Sequence, residues 1–140
     1  MVILAVDYGD VRTGLAVCDK SEFLASPVTV ITERNRDVLV KLVGDKAKEL
    51  KAQEIAVGLP RNMDGSEGFR AEACKEFAEL LSEYTGIPVV LRDERLTTVS
   101  AHKFMSMNDV RGKKRKNTVD AVAAVIILED YLAFRKNTLK

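Results

Sequence analysis

The chain has 140 residues, of which 46% are hydrophobic, and its 22 basic and 21 acidic side chains leave a net charge of +1. This length and hydrophobic content predict a single domain, residues 1–140, with a proper core. The longest apolar run, Ala121 to Leu128, is too short to cross a bilayer, and no basic and apolar leader pattern opens the sequence. We therefore expect a soluble cytoplasmic protein that makes no membrane contact.

The two cysteines, Cys18 and Cys74, lie far apart in the sequence and do not form a CxxC motif. Their apolar or helical surroundings favour buried, reduced thiols. We therefore expect neither a disulfide nor a thiolate metal site.

The first 31 residues alternate β-branched runs with turn residues. This pattern predicts strands at Val2–Val6, Thr13–Cys18 and Val28–Ile31. Turns are expected at Gly9–Asp10 and around Asp19–Ser21. The three strands should form an antiparallel meander.

Helical periodicity begins near Asp37 and continues to Leu50, with Gly44 as a local weakness. The apolar residues at helical spacing are Val38, Leu39, Leu42, Val43, Ala47 and Leu50. A fourth strand is predicted at Ile55–Leu59, where Pro60 stops it.

A second helix should begin near Asp64, because Glu67 three residues later completes a capping box, and should end at Gly86. The residues that it should bury are Ala73, Phe77, Leu80, Leu81 and Tyr84. A fifth strand is predicted from Pro88 to Leu91.

The last third of the chain should contain two helices separated by a basic loop. Thr97 or Thr98 can cap a short helix that carries Ala101, Phe104 and Met105. The final helix is expected from about Thr118, and its apolar first turns should lie on the sheet. The order βββαβαβαα predicts an α/β fold with a five-stranded mixed sheet, an antiparallel meander plus two parallel strands, flanked by helices on both faces.

Three carboxylates stand where secondary elements change. Asp7 ends the first strand, Glu94 follows the fifth, and Asp120 opens the apolar part of the last helix. Carboxylate oxygens are the hard ligands that Mg²⁺ requires, and converging acids are typical of phosphoryl chemistry. For a single acid a helix cap or surface ion pair is the better interpretation, but for the trio we favour a magnesium site.

A basic run precedes the last of these acids. Arg111, Lys113, Lys114, Arg115 and Lys116 place five cations within six positions. Alone, such a run is as consistent with a solvated loop as with a ligand site. Its position beside an acid cluster favours nucleic acid as the partner.

Four strings make the sequence resemble a known family: DYGDVRTGLAV, VGLPRNMDGSEG, DERLTT and KNTVDAVAA, in this order. Together they are similar to the YqgF family, also called RuvX, which is related to the RuvC Holliday-junction resolvases. The resemblance covers nearly the whole chain. It implies a ribonuclease H-like fold and a metal-dependent endonuclease.

The resemblance also implies the roles of individual residues. Asp7, Glu94 and Asp120 would be catalytic and would bind Mg²⁺ or Mn²⁺, with Asp7 contacting both ions of a two-metal site. Arg12 and Arg95 follow the first two acids closely, so they could clamp a phosphate or pair with the acids. The cations expected to contact nucleic-acid phosphates are Lys113, Lys114, Arg115 and Lys116.

The sequence departs from the related resolvases at two places. Those enzymes carry a further acid about one turn after the first acid of the final helix, whereas Asp120 is followed by Ala121, Val122, Ala123 and Ala124. A second ion would then bind weakly or only with substrate phosphate. Cys18 stands where the family often has serine, a change that should leave function alone.

The resemblance implies processing of the 5′ end of the 16S ribosomal RNA precursor, with ribosomal precursor particles as partners. For the oligomeric state we expect a monomer or a weak homodimer. An alternative is a resolvase-like nuclease that cleaves branched DNA. A third possibility is a non-catalytic nucleic-acid-binding module of the same fold. An ATPase of the actin and hexokinase kind also has an Asp and glycines in its first hairpin, but one domain of this size cannot close a nucleotide cleft.

Overall fold

The computed structural model of the protein describes residues 1–59, 69–93 and 112–138, with side chains described for 1–59, 71–92 and 122–136. Its strands are β1 Ile3–Asp7, β2 Arg12–Cys18, β3 Ala25–Thr32, β4 Glu54–Leu59 and β5 Val89–Asp93. Its helices are α1 Arg36–Glu49, α2 Phe69–Thr85 and α3 Gly112–Thr138. The predicted capping box at Asp64 and Glu67 and the predicted short helix after Thr98 fall outside the described residues.

The five strands form one mixed sheet in the order β3-β2-β1-β4-β5. β2 is antiparallel to both β1 and β3, which confirms the predicted meander. β4 is parallel to both β1 and β5, which confirms the predicted parallel part. β1 is therefore the central strand, and it belongs to both halves of the sheet.

The two faces of the sheet are covered by different helices, as the sequence predicts. Leu4 and Val6 of β1 belong to an apolar layer shared with α1 and α2. Ile3 and Ala5, which alternate with them, belong to a second layer shared with α3. Phe77 of α2 is fully buried in the first layer, where its ring stacks on Tyr8 with centroids 4.3 Å apart.

The core positions of α1 and α2 differ in part from those predicted. Leu39, Val43 and Ala47 of α1 are buried as expected, and so are Phe77 and Leu81 of α2. The prediction for Tyr84 was wrong, because this side chain is 38% exposed, and Val38 and Leu42 of the apolar stripe are 41% and 42% exposed. Helical spacing gives the direction of an apolar stripe but not its width, and these side chains lie at the margin of the stripe.

Gly44 is a packing requirement of the helix pair rather than only a weakness of α1. A Cβ atom at this position would lie 2.5 Å and 2.8 Å from ring carbons of Tyr84 and 3.0 Å from Cγ2 of Thr85. The Tyr84 hydroxyl donates to Oδ1 of Asp45 at 2.8 Å, which holds the ring over the glycine. Gly44 therefore allows α1 and α2 to approach each other closely.

We expect Gly44→Ala to destabilise the protein by about 1 kcal/mol, because the cost of overpacking exceeds the gain in helix propensity. In a Tyr84→Ala background the same change should instead stabilise by up to about 1 kcal/mol, because the ring is gone. Denaturant unfolding of the four proteins in this cycle measures both effects. Destabilisation of equal size in the two backgrounds would contradict the contact.

α3 begins earlier than predicted. The basic segment was expected to be a loop before a helix starting near Thr118, but the helix already begins at Gly112 and includes positions 113–116. Lysine and arginine are good helix formers, and no proline or glycine follows Gly112. Asn117 and Thr118 can cap a helix, yet here they lie inside one.

Candidate active site

Asp7 is the last residue of the central strand and is half-buried. Ile3 and Ala5 face α3, so the alternation of the strand puts Asp7 on the α3 side of the sheet. Across the β1–β2 ladder its partner is Gly14, which has no side chain. The prediction of a buried strand that ends in a carboxylate is thus confirmed.

The carboxyl ends of three parallel strands meet beside Asp7. β1 ends at Asp7, β4 at Leu59 and β5 at Asp93. In open α/β sheets this edge is where ligands usually bind. Glu94 and Arg95 follow β5 directly in the sequence, but both lie outside the described residues.

A tight turn places Arg12 near Asp7. The Gly9 amide donates to Oγ1 of the fully buried Thr13 at 3.3 Å. A Cβ atom on Gly9 would lie 2.1 Å from the carbonyl oxygen of Arg12, so no other residue fits this turn unchanged. Arg12 opens β2 and lies an even number of residues from Ala16 and Cys18, which face α3, so it is on the same side of the strand. Arg12 and Asp7 therefore share one end and one face of the sheet.

Two hydrogen-bonded pairs fix the direction of α3. The Tyr131 hydroxyl donates to Glu54, the first residue of β4. The Arg135 guanidinium donates to both oxygens of Glu22 at 2.7 Å and 3.2 Å, and Glu22 lies in the turn after β2. These bonds lower the pKa of Glu22. The carboxyl-terminal part of α3 therefore lies where β1 and β4 begin.

The backbone at position 120 lies toward the opposite end of the strands. It precedes Tyr131 by eleven residues, which is about 16 Å along a helix. Along β1, Ile3 and Asp7 are separated by about 13 Å. At 3.6 residues per turn, position 120 also falls on the same face of α3 as Ala124, Ile127 and Tyr131, which are buried against the sheet. The side chain of Asp120 itself is outside the described part.

The absence of a further acid after Asp120 in the sequence has a structural counterpart. Val122 is 4% exposed and Ala124 is fully buried, and Ala124 packs in the apolar layer between α3 and the sheet. One turn after Asp120, α3 therefore contributes packing rather than a ligand. Among residues 1–59, 71–92 and 122–136, no three His, Cys, Asp or Glu side chains are close enough to hold an ion.

Sequence reasoning missed Arg92. Val90 and Arg92 of β5 face α3, and Arg92 is aligned with Gly58 of β4. Its Nη2 atom donates to Oδ2 of Asp130 at 2.8 Å. The only signal in the sequence is the period-two pattern of β5, which places a charged residue on a buried side of the sheet. Thr13, whose hydroxyl accepts from the Gly9 amide, was also not predicted, because no residue pattern in the sequence marks it.

Cys18 and Cys74 are buried thiols that form no disulfide, as predicted. Burial raises the pKa of the Cys18 thiol. Its Sγ atom accepts from the Ile3 amide at 3.3 Å and donates to the Met1 carbonyl at 3.4 Å. A serine hydroxyl can make both contacts, so the cysteine fills a structural position.

The family model described as "RuvX: Holliday junction resolvase" matches residues 1–134. The chain belongs to the RuvX family. Two relatives illustrate this RuvX membership. A protein of Halothermothrix orenii is 40% identical over 135 residues, which cover 96% of each chain. One of Caldanaerobacter subterraneus subsp. tengcongensis is 40% identical over 139 residues, which cover 99% of this chain and 100% of the relative. Both carry the name "Putative pre-16S rRNA nuclease".

Solved structures confirm the predicted fold of this RuvX protein. RuvC of T. thermophilus in complex with a Holliday junction substrate superposes with a TM-score of 0.65 at 14% identity, covering 99% of this chain and 97% of RuvC. The fowlpox virus resolvase in complex with Holliday junction DNA gives a TM-score of 0.59 at 15% identity, covering 100% of both chains. At these identities the likeness shows a RuvC-like, ribonuclease H-type fold.

The structural likeness to a hexokinase covers a much smaller part of the compared protein. The ROK hexokinase of Thermus thermophilus superposes with a TM-score of 0.50 at 19% identity, and this RuvX chain spans only 38% of it. Within the described ranges, no helix has the length and apolar character needed to span a membrane.

Proposed function

We propose that this protein is a metal-dependent endonuclease in which Asp7, Glu94 and Asp120 form the catalytic carboxylate site. The observation that carries the proposal is the position of Asp7, which is half-buried at the carboxyl end of the central strand and on the side of the sheet that faces α3. The direction of α3 supports a role for Asp120, since its backbone is level with that end of β1. The position of Glu94 directly after β5 in the sequence supports the third ligand.

The donor set fits Mg²⁺ or Mn²⁺. Asp7, Glu94 and Asp120 would all offer carboxylate oxygens, the ligands that these hard cations prefer. When bound, a pair of such ions would activate a water and stabilise the leaving oxygen of the phosphodiester. Three carboxylates that converge without a cation would repel one another, so the site is built for positive charge. Arg12, on the same face as Asp7, would orient a substrate phosphate.

We further propose that the substrate is structured RNA and that the bond cleaved lies near the 5′ end of the 16S ribosomal RNA precursor. The names of the relatives that match over nearly their whole length support this substrate. Residues 1–140 would act as one domain, as monomer or weak homodimer, on ribosomal precursor particles. Arg95 and the cations at positions 113–116 would hold backbone phosphates.

A second candidate is a resolvase-like nuclease that acts on branched DNA. The description of the matching family model and the junction complexes of the RuvC and fowlpox structures favour this candidate. The same carboxylates would serve both reactions, so the two candidates differ in substrate and not in chemistry. A non-catalytic module of this fold would bind either substrate without cleaving it.

The deciding experiment incubates the purified protein with Mg²⁺ or Mn²⁺ and with three labelled substrates: precursor rRNA fragments, four-way DNA junctions and plain duplexes. We expect metal-dependent cleavage of the precursor rRNA and little product from the duplexes. Product from the junctions alone would favour the resolvase alternative. Binding without product under every metal condition would contradict the nuclease proposal and support the binding module.

A further inference from the structure

Arg92 links the edge strand β5 to α3 through three contacts. Its guanidinium donates to Asp130, and its Cζ atom lies 4.7 Å from the ring centroid of Phe134 and 5.4 Å from that of Tyr131. The rings of Tyr131 and Phe134 are themselves nearly parallel, 6.4 Å apart. We call these four residues the β5–α3 clasp.

The clasp joins α3 to the edge of the sheet on which the helix packs least. α3 packs mainly on β1, β2 and β3, whereas β5 forms the other edge of the sheet. Val90 and Arg92 are the described β5 residues that reach the α3 side. Because α3 rests on one half of the sheet, the clasp provides a second support on the other half.

The clasp also contacts α3 at a position from which it can fix the rotation of the helix about its axis. Tyr131 lies three turns after position 120 and on the same helix face. A hydrogen-bonded helix transmits a rotation or tilt along its length, so a change at Tyr131 is passed to position 120. Around the helix axis, Asp130 and Phe134 lie about 100° and 60° from Tyr131, both on the same side. Arg135, which binds Glu22, lies about 40° from Tyr131 on the other side, so the two sets of contacts together resist rotation in either sense.

We propose that Arg92 is a positioning residue, which sets the orientation of α3 and thereby the place of Asp120 relative to Asp7. The inference rests on the proposed carboxylate site and deepens it. Arg92 ties the strand that leads to Glu94 to the helix that carries Asp120. The residue touches neither metal nor substrate in this role.

The chemistry of the contacts requires arginine rather than any cation. A guanidinium is planar, so it can lie along aromatic rings while one nitrogen binds a carboxylate. The Nε atom is buried and has no hydrogen-bond partner among the described residues, so Nη2 and the ring contacts hold the group. A lysine ammonium could keep the Asp130 pair but not the flat contact with Phe134.

The chain offers a matched control on the opposite face of the sheet. Nη1 of Arg36 donates to Glu76 at 2.7 Å, which links α1 to α2 much as Arg92 links β5 to α3. Arg36→Leu removes an arginine–carboxylate pair of the same kind, far from α3. Any effect of lost charge or of general destabilisation should appear in both variants.

The test compares wild type with Arg92→Leu, Arg92→Lys, Asp130→Ala and Arg36→Leu. Mn²⁺ affinity is measured by isothermal titration calorimetry, and amide hydrogen exchange is measured across residues 112–125. We expect Arg92→Leu to raise the Kd for Mn²⁺ about tenfold, which is typical for groups that orient metal ligands. Arg92→Lys and Asp130→Ala should give smaller increases, and Arg36→Leu should match wild type. Exchange across residues 112–125 should increase most in Arg92→Leu, less in Arg92→Lys and Asp130→Ala, and not in Arg36→Leu.

Equal shifts in Arg92→Leu and Arg36→Leu, or no shift in either, would overturn the positioning role. Should Arg92→Leu fail to fold, Arg92→Lys and Asp130→Ala decide the matter by the Kd for Mn²⁺. A wild type that binds no Mn²⁺ would overturn the proposed metal site instead. In that case hydrogen exchange still tests whether Arg92 holds α3, because it does not depend on metal.

Discussion

Asp7→Asn should abolish cleavage while leaving the fold and nucleic-acid binding nearly unchanged. The change keeps the size and shape of the side chain but removes the charge that a hard cation needs. Loss of a direct ligand should exceed the ten- to hundredfold effect of groups that only orient ligands, so we expect a loss of rate of about a thousandfold or more. Single-turnover assays with precursor rRNA measure the rate, and thermal unfolding verifies the fold.

Asp10→Asn is the matched control for this prediction. Asp10 lies three residues after Asp7, in the turn that follows β1, and is exposed, so the variant makes an identical change of charge outside the strand. We expect its cleavage rate to stay within about twofold of wild type. Equal rates for Asp7→Asn and wild type, in preparations free of other nucleases, would exclude Asp7 as an essential ligand.

The repulsion between the Asp7 carboxylate and substrate phosphates predicts a second measurable effect of Asp7→Asn. Without metal, the carboxylate of Asp7 opposes the approach of substrate phosphates, and the amide of asparagine does not. Binding in the absence of divalent ions should therefore tighten modestly in Asp7→Asn. A rise in affinity together with a loss of cleavage separates the removal of a ligand from the loss of a folded site, which would weaken both.

The sheet could be predicted because its signals are local. Alternating or continuous β-branched runs end at turn residues, so all five strands were assigned within a few residues of their observed bounds. The end of β1 was the strongest case, because an apolar run that stops at Asp7 and Gly9 is typical of a buried strand that ends in a turn. The two-layer arrangement then followed from the order of the strands and helices.

The start of α3 and the role of Arg92 could not be predicted in the same way. Lysine-rich segments suit a loop as well as a helix, since both expose the charge, and only the continuous helix from Gly112 distinguishes them. Arg92 meets Asp130 and Phe134 across 38 and 42 positions of sequence. Such a contact depends on where α3 crosses the sheet, which no local pattern contains.

The helical state of the basic segment changes what its cations can do. Around the helix axis, positions 113 and 116 lie within about 40° of position 120, whereas positions 114 and 115 lie more than about 100° away. In a loop all four would be equivalent. If nucleic acid follows the face of α3 that carries Asp120, Lys113 and Lys116 should contact it more than Lys114 and Arg115.

We therefore expect the double variant Lys113→Ala/Lys116→Ala to weaken binding of every nucleic-acid sequence alike, by on the order of fiftyfold at 0.1 M salt. Each phosphate contact contributes about 0.9 to the slope of log affinity against log salt, and this variant removes two such contacts. The slope should fall by roughly two units. Lys114→Ala/Arg115→Ala removes the same charge and should lower it by less than about one unit. Fluorescence anisotropy titrations of labelled RNA across a salt series measure both slopes. Equal reductions in the two variants would contradict the helix-face assignment, and unchanged slopes in both would mean that this part of α3 is only solvated.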